Sequence, residues 1–351
     1  MYIIIAILIF GILIAVHELG HFTAAKMCKV QVNEFSIGMG PAILKKQGKE
    51  TLYSLRLLPI GGYCAMEGEE GGSDSPRAFS NQNRLKRFFI LFAGAFMNLI
   101  LGAVIIVMIY SSWEAFGTNT ILSLADGFPD NGYEGLMPGD EVYSINGMRI
   151  YYSNDFSTAM SLYGDRVDIV VIRDGEKVKL DNYELVMREY TEDGETTVRY
   201  GINFSVIRAN TWERLKYSGY SVYNFVRLIW YSLSELIAGN FGVKDLSGPV
   251  GIVSAMNEVG HAAETVQAGM INILYLGALI AVNLAVMNLL PIPGLDGGQI
   301  FLLVVTWISE KVFRKKINPK YIGYVNTAGL VILMGFMVFI MISDVVKLIH
   351  G

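Results

Sequence analysis

Four long apolar stretches without a charged side chain stand out along the chain. They comprise residues 1–16, 88–113, 265–295 and 321–343. About 20 such residues are enough for a helix to cross the hydrocarbon core of a membrane. The pattern therefore predicts a polytopic α-helical membrane protein with four transmembrane helices. A cleaved signal peptide explains the first stretch less well, because that stretch lacks a basic start and leads into Glu18 and His21 instead of a small-residue cleavage site.

The segment between the second and third stretches has the pattern of a β-rich domain. A turn at 138–140 precedes an alternating stretch at 142–145 and a hairpin pair at 146–147, and a strand at 167–172 precedes a turn at 174–175. The length suffices for one module.

Residues 209–240 follow this module and mix aromatic side chains with Arg214, Lys216 and Arg227. Aromatic side chains with a polar end favour the headgroup layer of a membrane, so the mixture predicts an interfacial helix. The alternative is a helix that packs on the β-rich domain.

Composition narrows the class of protein. Hydrophobic residues make up 52% and charged residues 17% of the chain, against about 25% charged residues in soluble proteins. This composition disfavours a soluble protein and excludes a disordered one. The net charge of -4 gives no reason to expect a nucleic-acid partner. Two cysteines, Cys28 and Cys64, are too few for a disulfide framework or a four-cysteine metal site.

Basic residues in the loops predict the orientation. The segment 26–87 contains 10 Lys and Arg residues, and five more lie at 311–320 before the last apolar stretch. By contrast, residues 113–210 contain 17 Asp and Glu residues against 8 Lys and Arg residues. Because cytoplasmic loops are rich in Lys and Arg, the two basic loops are predicted to be cytoplasmic. The β-rich domain and both termini are predicted to be extracytoplasmic.

The first stretch ends in His17-Glu18-Leu19-Gly20-His21, an HExxH pattern. On a helix, residues four apart share one face, so both imidazoles can reach one zinc ion while Glu18 is suited to act as general base. A charged residue at membrane depth costs about 2.5–3.5 kcal/mol, so ionisable residues here call for a compensating partner. The alternative is an interfacial helix end whose side chains reach water.

The third zinc ligand is expected to be Asp296, which ends the third apolar stretch beside two prolines and several glycines that break the helix. A catalytic zinc ion usually has three protein ligands and one open position. The third span runs inward, so Asp296 reaches the same predicted side as His17 and His21. His261 and His350 lie on the other predicted side.

HELGH in the first span and NLLPIPGLDGG at 288–298 together resemble the two signatures of the site-2 protease family, which are intramembrane zinc metalloproteases. Further stretches resemble the same family, namely FSIGMGP at 35–41, LLPIGGYCAMEGE at 57–69, FAGAFMN at 92–98 and SGPVGI at 247–252. The β-rich segment resembles a PDZ domain at Gly135-Leu136, Gly139-Asp140, Ile145-Asn146-Gly147, Asp155-Phe156 and Arg173-Asp174-Gly175. The whole chain is therefore similar to the bacterial branch with a single PDZ domain between spans two and three.

The resemblance implies Zn²⁺ as cofactor, His17, His21 and Asp296 as its ligands, and Glu18 as general base. It implies that Asn288 contacts substrate beside the metal. It also implies a membrane-dipping β-hairpin that pairs with an unwound substrate through Pro59, Ile60, Gly61, Gly62 and Tyr63. An unwound segment can add to an exposed strand edge.

The implied function is cleavage of transmembrane segments of single-span substrates, of the anti-sigma factor, signal-peptide or peptide-precursor type, in regulated intramembrane proteolysis, after an upstream site-1-type protease. The expected setting is the bacterial plasma membrane, with the active site toward the cytoplasm and a lipid bilayer but no nucleic acid as partner. Two other functions stay open, a non-catalytic membrane PDZ scaffold or chaperone and, with less support, a zinc transporter.

The expected domain boundaries follow the apolar stretches and motifs. They are 1–27 for the first transmembrane helix, 28–87 for a cytoplasmic loop with the β-hairpin, 88–112 for the second helix, 113–207 for the PDZ-like domain, 208–264 for the interfacial helix and linker, 265–298 for the third helix, 299–320 for a cytoplasmic loop and 321–348 for the fourth helix.

Overall fold

The computed structural model describes residues 1–69, 73–129, 132–192, 195–240, 242, 247–314 and 319–350. The helices are α1 Tyr2–Met27, α2 Arg84–Ser111, α3 Ser153–Tyr163, α4 Thr211–Ala238, α5 Pro249–His261, α6 Val266–Asn288, α7 Asp296–Val312 and α8 Pro319–His350. The strands are β1 Val32–Gln47, β2 Leu52–Met66, β3 Ala115–Leu124, β4 Glu141–Ile145, β5 Met148–Arg149, β6 Arg166–Arg173, β7 Glu176–Glu184, β8 Arg188–Glu192, β9 Glu195–Arg199 and β10 Ile202–Arg208.

Backbone contacts divide the chain into two units. One unit comprises Met1–Ile109 with Phe225–Gly351, and the other comprises Tyr110–Asn224. The first contains the apolar helices and the second contains most of the strands. The chain therefore combines membrane helices with a β domain, as the sequence predicts at this coarser level.

Four helices of the first unit are long and apolar enough to cross a membrane. These helices are α1, α2, α6 and the part of α8 from Lys320 to Lys347. They correspond to the four apolar stretches of the sequence. Only 6% of the apolar window of α8 is buried inside the protein, which suits a helix that presents most of its surface to hydrocarbon chains.

The membrane helices pack through a core that α1 shares with α5 and α6. Leu13 of α1, Met256 of α5 and Ile273 and Ala281 of α6 are fully buried in this core. Small residues allow helices to approach closely in a membrane, and Gly277 of α6 lies at such a contact with Ile9 of α1. This packing fixes α1 and α6, which bear the two sequence signatures.

The segment after α6 differs from the sequence-based expectation. The 299–320 region is predicted to be a loop, whereas its first part belongs to helix α7, which runs from Asp296 to Val312. Helix α6 ends at Asn288 because Pro291 and Pro293 cannot donate backbone hydrogen bonds. A search for long stretches without charged residues misses α7, because this helix begins with one acidic residue and ends near several basic ones.

Strands β1 and β2 fold into a small curled sheet. Phe35 pairs with both Tyr53 and Cys64, while Ser54 pairs with both Ser36 and Lys45. The segments therefore lie in the order 44–47, 52–55, 34–37 and 62–66. Within the described part of the chain, segment 62–66 is an edge of this sheet.

The second unit is built on an antiparallel sheet. The strand order is β10-β3-β4-β6-β7, with β5 paired to β4, and β8 forms a separate hairpin with β9. Alternate residues of β6, Val167, Ile169 and Val171, are buried in the core together with Phe156 and Met160 of α3. This pattern is the alternation expected for a half-buried strand.

The first half of α4 packs on this sheet domain. Tyr217 stacks on Phe116 with ring centroids 4.4 Å apart, and the Ser221 hydroxyl hydrogen-bonds the hydroxyls of Tyr110 and Tyr152. For residues 211–224 the structure thus favours packing on the β domain over the expected interfacial position.

Candidate metal centre

The two histidines of HELGH lie side by side on α1. His21 follows His17 by four positions, so one turn of helix brings their Nε2 atoms to 3.2 Å from each other. The side chains are 13% and 8% exposed. Their ring planes are nearly perpendicular, at 83°.

Asp296 completes the cluster from α7. It is the first residue of that helix, directly after the break that follows α6. Its Oδ2 atom lies 3.3 Å from Nε2 of His17 and 3.2 Å from Nε2 of His21. Among the described residues, these three form the only cluster of His, Cys, Asp and Glu side chains whose ligand atoms lie mutually within 4.8 Å.

The three donor atoms fit a zinc ion. Zn–N and Zn–O bonds are about 2.0–2.2 Å long, and tetrahedral geometry then separates any two donors by about 3.3–3.5 Å. The observed separations of 3.2, 3.2 and 3.3 Å match that triangle closely. Two imidazoles and one carboxylate are also a donor set typical of catalytic zinc sites.

Other groups orient the imidazoles. The Nδ1 atom of His21 lies 2.9 Å from the carbonyl oxygen of Ile90 on α2. This contact favours the tautomer that protonates Nδ1 and leaves the lone pair of Nε2 free for metal. The Asn288 side-chain amide lies 3.5 Å from Nδ1 of His17, so it occupies the corresponding place beside the first ligand.

Glu18 faces the same cavity as the cluster. The cavity has a volume of about 770 Å³ and is lined on one side by residues 63–66 of β2. The backbone amide of Cys64 lies beside the Glu18 carboxylate. A Cβ atom on Gly62 would lie 3.2 Å from Cγ of Glu18 and 2.9 Å from the carbonyl oxygen of Ser36. Gly62 thus lets the sheet approach the carboxylate.

The residues predicted to bind substrate occupy different places. Tyr63 lines the cavity, and its hydroxyl accepts a hydrogen bond from Arg56. Gly62 lies against Glu18, and Gly61 adopts a positive φ of 87° beside Met39. Pro59 and Ile60 lie in the same strand, β2. Asn288 lies next to His17, so its hydrogen-bonding partner is a candidate metal ligand.

The sequence analysis assigns no function to several residues of the site. Gly94 lies under both imidazoles, while Glu69, Gln299, Asn326 and Thr327 line the cavity. Gly94 belongs to the FAGAFMN stretch and Glu69 ends the LLPIGGYCAMEGE stretch, so their resemblance to the family is a usable signal. The other three occur in segments that become neighbours only in the folded chain.

Glu69 adds a second carboxyl group to the cavity wall. Burial raises the pKa of Glu69 to about 7, against smaller opposing effects of the Met66 backbone amide and His21. The Met66 amide donates to its Oε2 atom at 3.4 Å. No described cation forms an ion pair with it, so the cavity is acidic on this side.

Sequence comparison identifies the family of this site. A model described as peptidase family M50 matches residues 5–336. The chain belongs to peptidase family M50. This membership confirms the resemblance to the site-2 protease family and the prediction of a zinc-dependent membrane metalloprotease. With four apolar helices, the M50 chain is a multi-pass membrane protein.

Relatives from three bacteria cover the whole chain. A protein of Clostridium acetobutylicum is 39% identical over 346 residues, which is 98% of this chain and 97% of the relative. A Clostridium perfringens protein is 36% identical over 349 residues and a Fusobacterium nucleatum protein is 32% identical over 351 residues, each covering 99% of both chains. All three carry the name of a candidate zinc metalloprotease.

Proposed function

We propose that this M50 chain is an intramembrane endopeptidase that cleaves a transmembrane segment of single-span membrane proteins or signal peptides. The observation that supports this most is one cavity lined by His17, His21, Asp296, Glu18 and residues 63–66 of the edge segment. A protease for membrane segments needs both hydrolytic groups and a surface that holds an unwound peptide. Here both needs are met within one cavity.

The ligand assignment is His17, His21 and Asp296, as their mutual distances support. A zinc ion bound there supplies Lewis-acid chemistry and lowers the pKa of a water molecule toward about 7. Glu18 accepts the proton of the attacking water and delivers it to the leaving amine nitrogen. The Cys64 amide holds the Glu18 carboxylate in place for this transfer.

An exposed strand edge of the chain is proposed to hold the substrate in an extended form. A transmembrane helix hides its carbonyl groups in internal hydrogen bonds, so it must unwind before water can attack one of them. An extended segment can then add to the edge of a sheet. Segment 62–66 offers such an edge beside Glu18, which supports the proposed role of Pro59, Ile60, Gly61, Gly62 and Tyr63. Asn288 is proposed to contact the substrate as well as His17.

The orientation and setting are part of the proposal. The basic residues at 26–87 and 311–320 favour a cytoplasmic position for the loops near the metal centre. The β domain, proposed to be PDZ-like, and both termini would then be extracytoplasmic in the bacterial plasma membrane. An upstream site-1-type protease would first remove the bulky outer part of a substrate. An extracytoplasmic domain could then gate entry by size.

The test separates chemistry from binding. A Glu18→Gln variant is expected to keep about one zinc per chain and to lose cleavage by at least about 100-fold. His17→Ala and Asp296→Ala are expected to lose most of the zinc. Metal is measured by mass spectrometry on purified protein, and cleavage on a designed single-span peptide with about 20 apolar residues. Undiminished zinc in Asp296→Ala, or undiminished cleavage by Glu18→Gln, would contradict the assignment.

A further inference from the structure

Asn326 presents an unpaired amide oxygen at the metal cavity. The residue lies on α8, within the span from Lys320 to Lys347, and it lines the cavity that contains His17, Glu18 and Asp296. Its Oδ1 atom is buried, and no described residue donates a hydrogen bond to it. Gln299 and Thr327 line the same cavity, so α7 and α8 together give it a polar wall.

An unpaired amide at this depth is unfavourable in the resting protein. A buried acceptor without a donor costs about 1–3 kcal/mol. The most apolar part of this helix has a mean hydropathy of 2.5. A polar residue in such a helix indicates a partner that arrives during function.

The position of Asn326 is fixed by a close contact of its own helix. A Cβ atom on Gly329 would lie 2.2 Å from the carbonyl oxygen of Pro293, and one on Gly294 would lie 2.8 Å from the Leu330 amide nitrogen. Helix α8 therefore packs backbone to backbone on the segment that precedes Asp296. Asn326 lies three residues before Gly329, on the same face of α8.

An unwound substrate has backbone groups that a polar side chain such as Asn326 can bind. An extended peptide has hydrogen-bonding groups on two edges, and segment 62–66 can pair with one of them. The other edge would have unsatisfied N–H and C=O groups at membrane depth, where each costs several kcal/mol. A polar side chain on the cavity wall would satisfy one of these groups.

We propose that Asn326 is a substrate-binding residue whose side-chain amide hydrogen-bonds the backbone of the unwound substrate on the edge that β2 does not pair. This inference rests on the proposed function, because it takes the substrate to be an extended membrane segment. It assigns to α8 a direct part in holding the substrate beside Glu18. The Asn326 oxygen accepts an N–H group of the substrate.

The decisive variant is Asn326→Leu, which has nearly the same size and no acceptor. It is made alone and in the inactive Glu18→Gln background, and Asn326→Ser is made to restore an oxygen acceptor. The probe is the designed single-span peptide with a fluorophore. Its dissociation constant is measured by anisotropy with Glu18→Gln protein in detergent micelles, and KM and kcat are measured with active protein.

The proposal predicts opposite changes in stability and binding. Asn326→Leu removes a buried unpaired oxygen, so its thermal unfolding midpoint should equal or exceed that of the parent. Loss of one hydrogen bond should weaken peptide binding about five- to tenfold and raise KM similarly, with a smaller change in kcat. Zinc content should be unchanged, and Asn326→Ser should recover part of the affinity.

The matched control is Asn272→Leu, because Asn272 also lies in a candidate span, on α6, but is exposed and away from the cavity. It should leave peptide affinity unchanged.

Equal affinities of Glu18→Gln proteins with and without Asn326→Leu would overturn the inference, as would a lower unfolding midpoint with unchanged KM. If wild type binds the peptide but does not cut it, the proposed function fails, while the two affinities still decide the role of Asn326.

Discussion

Gly94 of α2 lies so close to His21 that a Cβ atom on it would be 2.2 Å from the imidazole Nε2 atom. The same Cβ atom would lie 2.8 Å from Cε1 of His17. Neither distance is compatible with van der Waals contact between heavy atoms. Both imidazoles therefore pack directly against the Cα atom of Gly94.

Gly94→Ala should consequently disrupt the metal centre. The new methyl group must push at least one imidazole away from Asp296, so we expect zinc content to fall at least about tenfold and cleavage to fall with it. Gly335→Ala is the matched control, because Gly335 lies in another apolar helix with no atom within 4 Å of its added Cβ. Equal zinc content in both variants would contradict this role of Gly94.

The SGPVGI stretch has a structural role that involves Asp344. The Asp344 carboxylate is 2% exposed and accepts a hydrogen bond from the Gly251 amide at 2.8 Å. Gly251 lies in the first turn of α5, after Pro249, where backbone amides lack partners and negative charge is favoured. Asp344 thus joins α8 to the start of α5.

Asp344→Leu should therefore destabilise the membrane unit. We expect a loss of about 1–3 kcal/mol, since a buried amide loses its acceptor. Asp344→Asn keeps an oxygen acceptor and should lose less. Thermal unfolding in detergent measures both, with Ser343→Leu as the control on the adjacent position of α8. A midpoint for Asp344→Leu as high as that of the control would show that the contact contributes nothing.

Glu50 provides a pH-dependent contribution to stability. Its carboxylate accepts hydrogen bonds from Lys26 at 2.8 Å and from Arg77 at 2.7 Å. These two hydrogen bonds lower the pKa of Glu50 from 4.5 to about 2. Because the folded-state pKa is depressed, the stabilisation is fully present above about pH 4.5 and is lost as the pH falls toward 2.

Glu50→Gln should reduce the free energy of unfolding at neutral pH, and this effect should shrink as the pH falls from about 4.5 through 2. The side chain is 28% exposed, and solvent screening limits the expected loss to about 1 kcal/mol. Metal-free protein is used, so that release of zinc in acid does not contribute. A difference between wild type and Glu50→Gln that stays constant from pH 2 to 7 would contradict the assignment.

The sequence predicts those features that depend on local spacing. His17 and His21 are four residues apart on an apolar helix, so their common face follows from helix geometry alone. Asp296 can be predicted as well, because loop charges and helix direction indicate the same side for it. The strand alternation of β6 and the turns around it are equally local.

Features that depend on approach between distant segments could not be predicted in this way. Gly94 matters because α2 passes directly under the imidazoles, and Asn326 because Gly329 lets α8 contact the Pro293 backbone. Helix α7 was missed because its apolar residues lie between charged ends. The packing of α4 on Phe116 depends on the folded sheet, which aromatic composition alone does not reveal.

The β domain contains a buried ion pair that should control its stability. Arg173 donates from Nε and Nη2 to the two carboxylate oxygens of Asp140, each at 2.8 Å, and from Nη2 also to the carbonyl oxygen of Gly135. Asp140 is 1% exposed and Arg173 is 8% exposed. The pair thus joins the turn before β4 to the end of β6.

Asp140→Ala should loosen this part of the sheet. Removing one partner leaves the guanidinium buried without its counter-charge, which typically costs about 3–5 kcal/mol. In the full-length protein we expect the amides of Ile169 and Val171 to exchange hydrogen at least about 100-fold faster. Glu176→Ala is the control, because Glu176 is exposed at the start of β7, after the adjacent turn. Replacing both partners by apolar residues, as in Asp140→Leu with Arg173→Met, should restore much of the protection, since no charge is then left buried. Equal exchange rates in Asp140→Ala and Glu176→Ala would show that the ion pair does not hold the sheet together.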